Sequence, residues 1–304
     1  MLELGYDYAS CVRGSEKVSW RVDDIMPPET RLDFTRPFLP AALSGRGEPE
    51  FLSAKESLTL NQITGSAYVN LFAFVEEYIL ATMIEHAHAE VFGDRHALRA
   101  LTRFADEEGK HQQLFLRYLD AFRRDFGHDC EVLGSAAAVA GVVMSKSPIA
   151  VMMLTYHIEI MTQAHYTECV KDDRGVDPLF AKLLHAHWLE ESQHARIDAL
   201  ELDKLLCTAT REQIEKGFAD YLDLVGAVDG LLKQQAEMDV RSLVRAAGRS
   251  LDDGQAARVV ASQHAGYRHT FLVYGMTNPS YVSVMTRMWP EGAAAVAKRA
   301  AELA

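Results

Sequence analysis

The chain has 304 residues, 48% hydrophobic and 24% charged, enough to bury a sizeable core in one large domain or two small ones. Acidic residues outnumber basic ones 43 to 31, a formal net charge of −12, and no Lys/Arg block interrupts the sequence, which argues against nucleic-acid binding. The longest apolar run, Ala136 to Met144, is too short to span a bilayer, and no basic front with an apolar core marks a secretory signal, so the expectation is a cytoplasmic protein without membrane contact.

Residues 1–55 hold five of the nine prolines and show poor helical periodicity. They read as an irregular strap, ordered by Tyr6, Tyr8, Trp20, Phe34, Phe38 and Leu39, with a short turn of helix at Ala41–Leu43. From Ser53 to about Phe92 the pattern is helical, and Ser53 with Glu56 forms a capping box. Gly93-Asp94 turns the chain into a second helix, about His96 to Phe126, which Gly127 ends. Residues 130–147 are a connector carrying a small-residue helix. Pro148 starts a helix to about Val170. After the break at Gly175–Pro178 a helix runs from about Leu179 to Leu206. Long helices follow over Thr208–Arg245 and Leu251–Met276, then two short ones. No strand period appears. The expectation is an all-α chain: a strap (1–55) on one helical domain (56–304), with a core bundle at 56–206 and additional helices at 207–304. Four dispersed cysteines without a CxxC pair read as reduced, mostly buried thiols.

Chemistry concentrates in a two-fold echo. Glu108-x-x-His111 and Glu191-x-x-His194 each lie on the second helix of an antiparallel pair. Spacing i, i+3 puts both side chains on one helix face. In carboxylate-bridged di-iron bundles each such motif is joined by one Glu from the partner helix. Glu108 lies 15 residues beyond Gly93, so its level on the preceding helix is near residue 78, where Glu76 and Glu77 stand. Glu85 is roughly 10 Å too far along the axis at about 1.5 Å per residue. Glu191 lies 15 residues beyond Val176, and Glu159 is the nearest acid at its level. The face through Glu108 is apolar (Leu101, Phe104, Phe115), so Glu108 points inward and Glu107 is read as a surface acid. The face through Glu76 (Val69, Phe72, Ile79, Met83) is also apolar, which favours Glu76, although a polar metal channel would suit Glu77. The candidate ligands are therefore Glu76 or Glu77, Glu108, His111, Glu159, Glu191 and His194. Carboxylates and imidazoles without thiolates suit two iron ions, with manganese or a mixed pair as the alternative. His187 precedes Glu191 by one turn and shares its face. Asp198, four residues past His194, is placed to orient an imidazole, and His165 and Tyr156 flank Glu159 as candidates for the same supporting role.

The paired Glu-x-x-His pattern resembles the ferritin-like di-iron carboxylate superfamily. His-x-x-x-Glu-x-x-His at 187–194 is similar to the p-aminobenzoate N-oxygenase family, in which a third histidine completes the metal site; the order of motifs agrees over residues 76–194. The resemblance implies a ferritin-like four-helix bundle and an O₂-dependent di-iron oxygenase acting on a small organic molecule. It also implies His187 as a ligand and oxygen transfer to an amine nitrogen. A hydroxylase or desaturase, or iron and peroxide handling as in ferritins and rubrerythrins, remain the alternatives. No flavin or dinucleotide fingerprint is present, so electrons are expected from an external donor. A homodimer is a further expectation.

Overall fold

The structure is a computed structural model that describes residue 2, residues 4–47 and residues 49–304; Glu48 of the strap lies outside it. Among these residues there are helices and no strand, as expected. In chain order they are α1 (Tyr8–Ser15), α2 (Val22–Ile25), α3 (Ala54–Ala89), α4 (Arg95–Phe126), α5 (Ala136–Met144), α6 (Pro148–Ala164), α7 (Pro178–Thr208), α8 (Arg211–Ala247), α9 (Asp253–Arg268), α10 (Pro279–Met288) and α11 (Pro290–Leu303). A π-turn, His165–Val170, prolongs α6, and another, His269–Val273, prolongs α9 into a last turn at Tyr274–Met276.

The ends fall where local chemistry puts them. The Ser53–Glu56 capping box opens α3, and Asp94 accepts from the amides of His96 and Ala97 at the start of α4. Gly127 leaves α4 at φ 79°, a left-handed conformation that costs glycine little. Pro148 and Pro178 occupy first turns, where a missing N–H is harmless.

Four long helices form the bundle as two hairpins, α3 with α4 and α6 with α7, joined along α4 and α7. The seams between the hairpins are covered from both sides. α8 packs on α3 and α6, while α1 and α2 pack on α4 and α7. By length and composition α3 is apolar enough to cross a membrane, but most of its apolar stretch is buried in the bundle. The thiols depart from expectation: only Cys11 is buried, Cys130 and Cys169 are half-buried and Cys207 is exposed.

The strap is more regular than its prolines suggest. Asp7 and Ser10 form a capping box that starts α1, a local signal within the first ten residues. The turn at Ala41–Leu43 is present as a 3₁₀ helix. Phe38 stacks on Phe180 of α7 at 5.7 Å and meets Tyr118 of α4 edge-on, so the strap belongs to the same core as the bundle. Gly266 of α9 lies against the backbone of Ser44 and Gly45; a Cβ there would stand 2.7 Å from the Ser44 carbonyl oxygen. Because that neighbour is backbone, Gly266→Ala should lift the strap and cost about 1–3 kcal/mol. A lower thermal midpoint with the parent's helical content is the expected result.

Candidate metal centre

Seven of the candidate ligands converge in the middle of the bundle: Glu76 from α3, Glu108 and His111 from α4, Glu159 from α6, and His187, Glu191 and His194 from α7. All are at most 2% exposed. Glu77 is exposed on the outer side of α3, whereas Glu76 is buried among the other donors. Two sets of donor atoms lie within 4.8 Å of one another and are able to hold a metal ion. One is Glu76, His111, His187 and Glu191; the other is Glu108, His111, Glu191 and His194.

His187 Nε2 stands 3.0 Å from Glu76 Oε1 and 2.7 Å from Glu191 Oε1. His111 Nδ1 is 3.2 Å from Glu191 Oε1, and His194 Nδ1 is 3.0 Å from Glu108 Oε1. Glu159 stands further out, with Oε2 3.9 Å from His194 Nδ1. Both oxygens of Glu108, the Nδ1 atoms of His111 and His194, and one oxygen each of Glu76, Glu159 and Glu191 are buried without a hydrogen-bond partner. A folded core seldom leaves so many acceptors together. Divalent ions would satisfy all of them at once, so the donors fit a pair of metals.

The outer nitrogens explain the inward ones. His111 Nε2 lies 2.9 Å from Glu190 Oε2, and His194 Nε2 lies 3.0 Å from Glu107 Oε2. Each imidazole donates through Nε2 to a carboxylate and turns the Nδ1 lone pair toward the centre. The pairing crosses over. The acid before each Glu-x-x-His motif serves the histidine of the other motif. Glu190 is neutralised by Lys110, which also lies over the Trp20 ring at 4.1 Å. Glu107 accepts from Ser15 Oγ at 2.5 Å and from Arg103.

Glu107 is not the surface acid that its helix face suggests. It is buried because α1 lies across that face of α4, a long-range contact that the helix pattern does not carry. Nothing in the sequence pattern singles out Glu190 except the doubled acid in both motifs, and that doubling is its signal. Trp20, from the strap, stacks on His111 at 5.9 Å.

The rings one turn before each motif also correspond. Phe104 precedes Glu108 by four residues, as His187 precedes Glu191. Phe104 stacks on His194 at 3.7 Å, and His187 meets His111 edge-on at 4.6 Å. The two halves thus place an apolar ring on one side and a donor on the other. His187 groups with His111 and Glu76 rather than with the histidine of its own motif.

Among the described residues, none of the three expected supporting residues bonds a candidate ligand. His165 accepts from Tyr68 OH at Nδ1 (2.9 Å) and donates to the Thr270 carbonyl (3.1 Å), tying the two π-turns together; burial lowers it to about 3. Tyr156 stacks on Tyr281 at 5.8 Å and bonds no candidate ligand among the described residues. Asp198 is fully buried, but neither oxygen reaches an imidazole or any other partner; Glu107 holds His194 instead. A shared helix face gives a direction but not a partner, and all three expectations rest on faces.

Burial, then the charges of Glu108 and Glu191, push Glu76 well above the usual carboxylate range. Burial opposes protonation of His111, yet Glu108 and Glu190 raise it to about 9. Burial and the neighbouring imidazoles hold His187 well below its ordinary value, in the neutral form that binds metal. Burial works to raise Glu107, but the bonds from His194 and Ser15 bring it down to about 2.

With this geometry in place, comparison with solved structures settles the fold as ferritin-like. A single-site mutant of R2-like ligand-binding oxidase, with anaerobically reconstituted Mn/Fe cofactor, superposes with a TM-score of 0.52 at 14% identity, over 86% of this chain and 92% of that chain. Another mutant of the same protein, with aerobically reconstituted Fe/Fe cofactor, gives a TM-score of 0.49 at 15% identity, over 86% and 92% of the two chains. No family model and no curated protein matches the sequence.

Two expectations follow. Glu107→Gln and Glu190→Gln should each weaken metal binding by about 10–100-fold, read by competition with a chromophoric chelator. The second concerns pH. His111 is raised from 6.5 to about 9 in the folded, metal-free chain, so its contribution to stability is full below pH 6.5 and is lost as pH rises through 9. The thermal midpoint of the metal-free protein should fall across that window.

Proposed function

We propose that this chain is an O₂-dependent di-metal oxygenase of a small organic substrate, and that the atom oxidised is an amine nitrogen. The observation that carries the proposal is the third imidazole, His187, aimed by Nε2 at Glu76 and Glu191 among the donors. Iron storage has no use for an added neutral donor. An oxygenase gains from it, because the extra nitrogen changes electron density and fills one coordination position.

Glu76, Glu108, His111, Glu159, His187, Glu191 and His194 would hold two iron ions, or one manganese and one iron as in the R2-like neighbour, and these ions would supply O₂ activation. The protein orients the donors and excludes water. Phe72 and Phe115 wall His187, Phe104 covers His194, and Trp20 covers His111. The resemblance of residues 187–194 to arylamine N-oxygenases supports the choice of a nitrogen over a carbon centre. Incorporating one oxygen atom consumes two electrons and two protons per O₂, and the chain holds no flavin or dinucleotide fingerprint. An external donor, a separate reductase or a small reductant, would supply the electrons.

The test is anaerobic reconstitution with Fe²⁺, metal analysis, and mixing with O₂ in the presence and absence of an arylamine. The parent should bind two ions and oxidise the amine. His187→Ala should keep the fold and both ions but oxidise the amine about tenfold or more slowly. A His187→Ala protein that matches the parent in every turnover removes the support for N-oxygenation. Ferric mineral formation with many ions per chain would favour storage.

A further inference from the structure

Seven donors sealed at 2% exposure or less pose a question of supply, since a divalent ion has to cross a packed core to reach them. Three surface cavities border the helices that carry these donors. The groove between α1 and α7 is lined by Arg13, Lys17 and Arg196, which repel a cation. The cavity over α3 and α4 borders Ala73, Glu77 and Gln112, and its one acid, Glu77, points away from the centre. The third, of about 370 Å³, opens at the end of the bundle among α3, α6 and α7 and is lined by Thr82, Glu85, His86, Val151, Glu201 and Lys204 among others.

A polar stripe leads inward from this third cavity. Glu201, 2% exposed, lines the cavity and holds His86 Nδ1 at 2.6 Å and Tyr8 OH at 2.6 Å. Asp198 stands three residues earlier on α7, and His194 four residues before that, so the three side chains share one face at successive turns. Asp198 is 0% exposed with both oxygens unpartnered. Tyr78 of α3, Tyr156 of α6 and Tyr6 of the strap are near enough for their phenols to feel its charge, and no cation bonds it among the described residues. Lys146 is paired with Asp223, and Lys204 with Glu90 and, at 3.9 Å, with Glu201, so the acids at the mouth, with Glu85, at least balance its two lysines.

We propose that this stripe is the metal-entry route. A divalent transition-metal ion enters at Glu85 and His86, passes to Glu201, then to Asp198, and from there to His194 and Glu159. The rungs are oxygen and nitrogen donors of the kind that bind Fe²⁺ and Mn²⁺. Asp198, a buried carboxyl with nothing to hold, is the rung that has no other account. The proposal rests on the di-metal reading and is independent of which reaction the metals support.

Co²⁺ is the probe, added anaerobically to the metal-free full-length chain, with its ligand-field absorption followed by stopped flow. Asp198→Asn and Glu201→Gln should each fill at least about tenfold more slowly than the parent, while final absorption and stoichiometry stay unchanged. Glu77→Gln, on the outer face of α3, should fill at the parent's rate. Asp198→Asn filling at the parent's rate overturns the route alone. A parent chain that takes up no Co²⁺ overturns the di-metal reading and the route with it.

Discussion

The constraint on which the rest depends is charge in the core. Glu76, Glu107, Glu108, Glu159, Glu190, Glu191 and Asp198 are all at most 5% exposed, and among the described residues only Arg103 and Lys110 reach into this group as lysine or arginine partners. Those two cations serve the outer acids, Glu107 and Glu190. Among the described residues, the inner glutamates face three imidazoles and no lysine or arginine. A buried charge without a partner costs several kcal/mol; burial accordingly pushes Glu76 and Glu191 up, while His111 and His194 hold Glu108 down. Two divalent ions carry the positive charge that the inner ring lacks. The covering elements serve the same end, because α8 on one seam and the strap on the other keep water from screening the donors.

Most of the fold was legible because its signals are local. Capping residues, first-turn prolines and terminal glycines mark the helix ends, and the doubled Glu-x-x-His at matched depth marks the centre. Glu76 stands among the buried donors and Glu77 outside them, in line with the apolar face around Glu76 that the sequence shows. What stayed hidden depends on contacts across the chain. Nothing near Glu107 in sequence announces that α1 will lie over it. His165 looks like a neighbour of the centre but belongs to a bond between two π-turns more than a hundred residues apart. Asp198 shares the face of His194, yet facing the same way does not bring the two side chains into contact.

The N-terminal segment changes meaning most. Its prolines suggest a cover, but two of its side chains act on the centre directly: Ser15 fixes the carboxylate that orients His194, and Trp20 lies flat on His111. Docking of the strap therefore contributes to ordering two of the three imidazoles.

The correspondence of Phe104 with His187 has a consequence for which ions the centre selects. One donor set adds His187 and Glu76 to the shared His111 and Glu191, the other adds His194 and Glu108. Three imidazoles serve two positions, so the nitrogens cannot divide evenly between them. Imidazole suits iron well, whereas carboxylate oxygen suits manganese at least equally. The two positions therefore rank competing ions differently, and the occupancy of each depends on the metal supply as well as on the protein. With the same ring at residues 104 and 187, the pseudo-symmetric halves would compete for the same ion on equal terms.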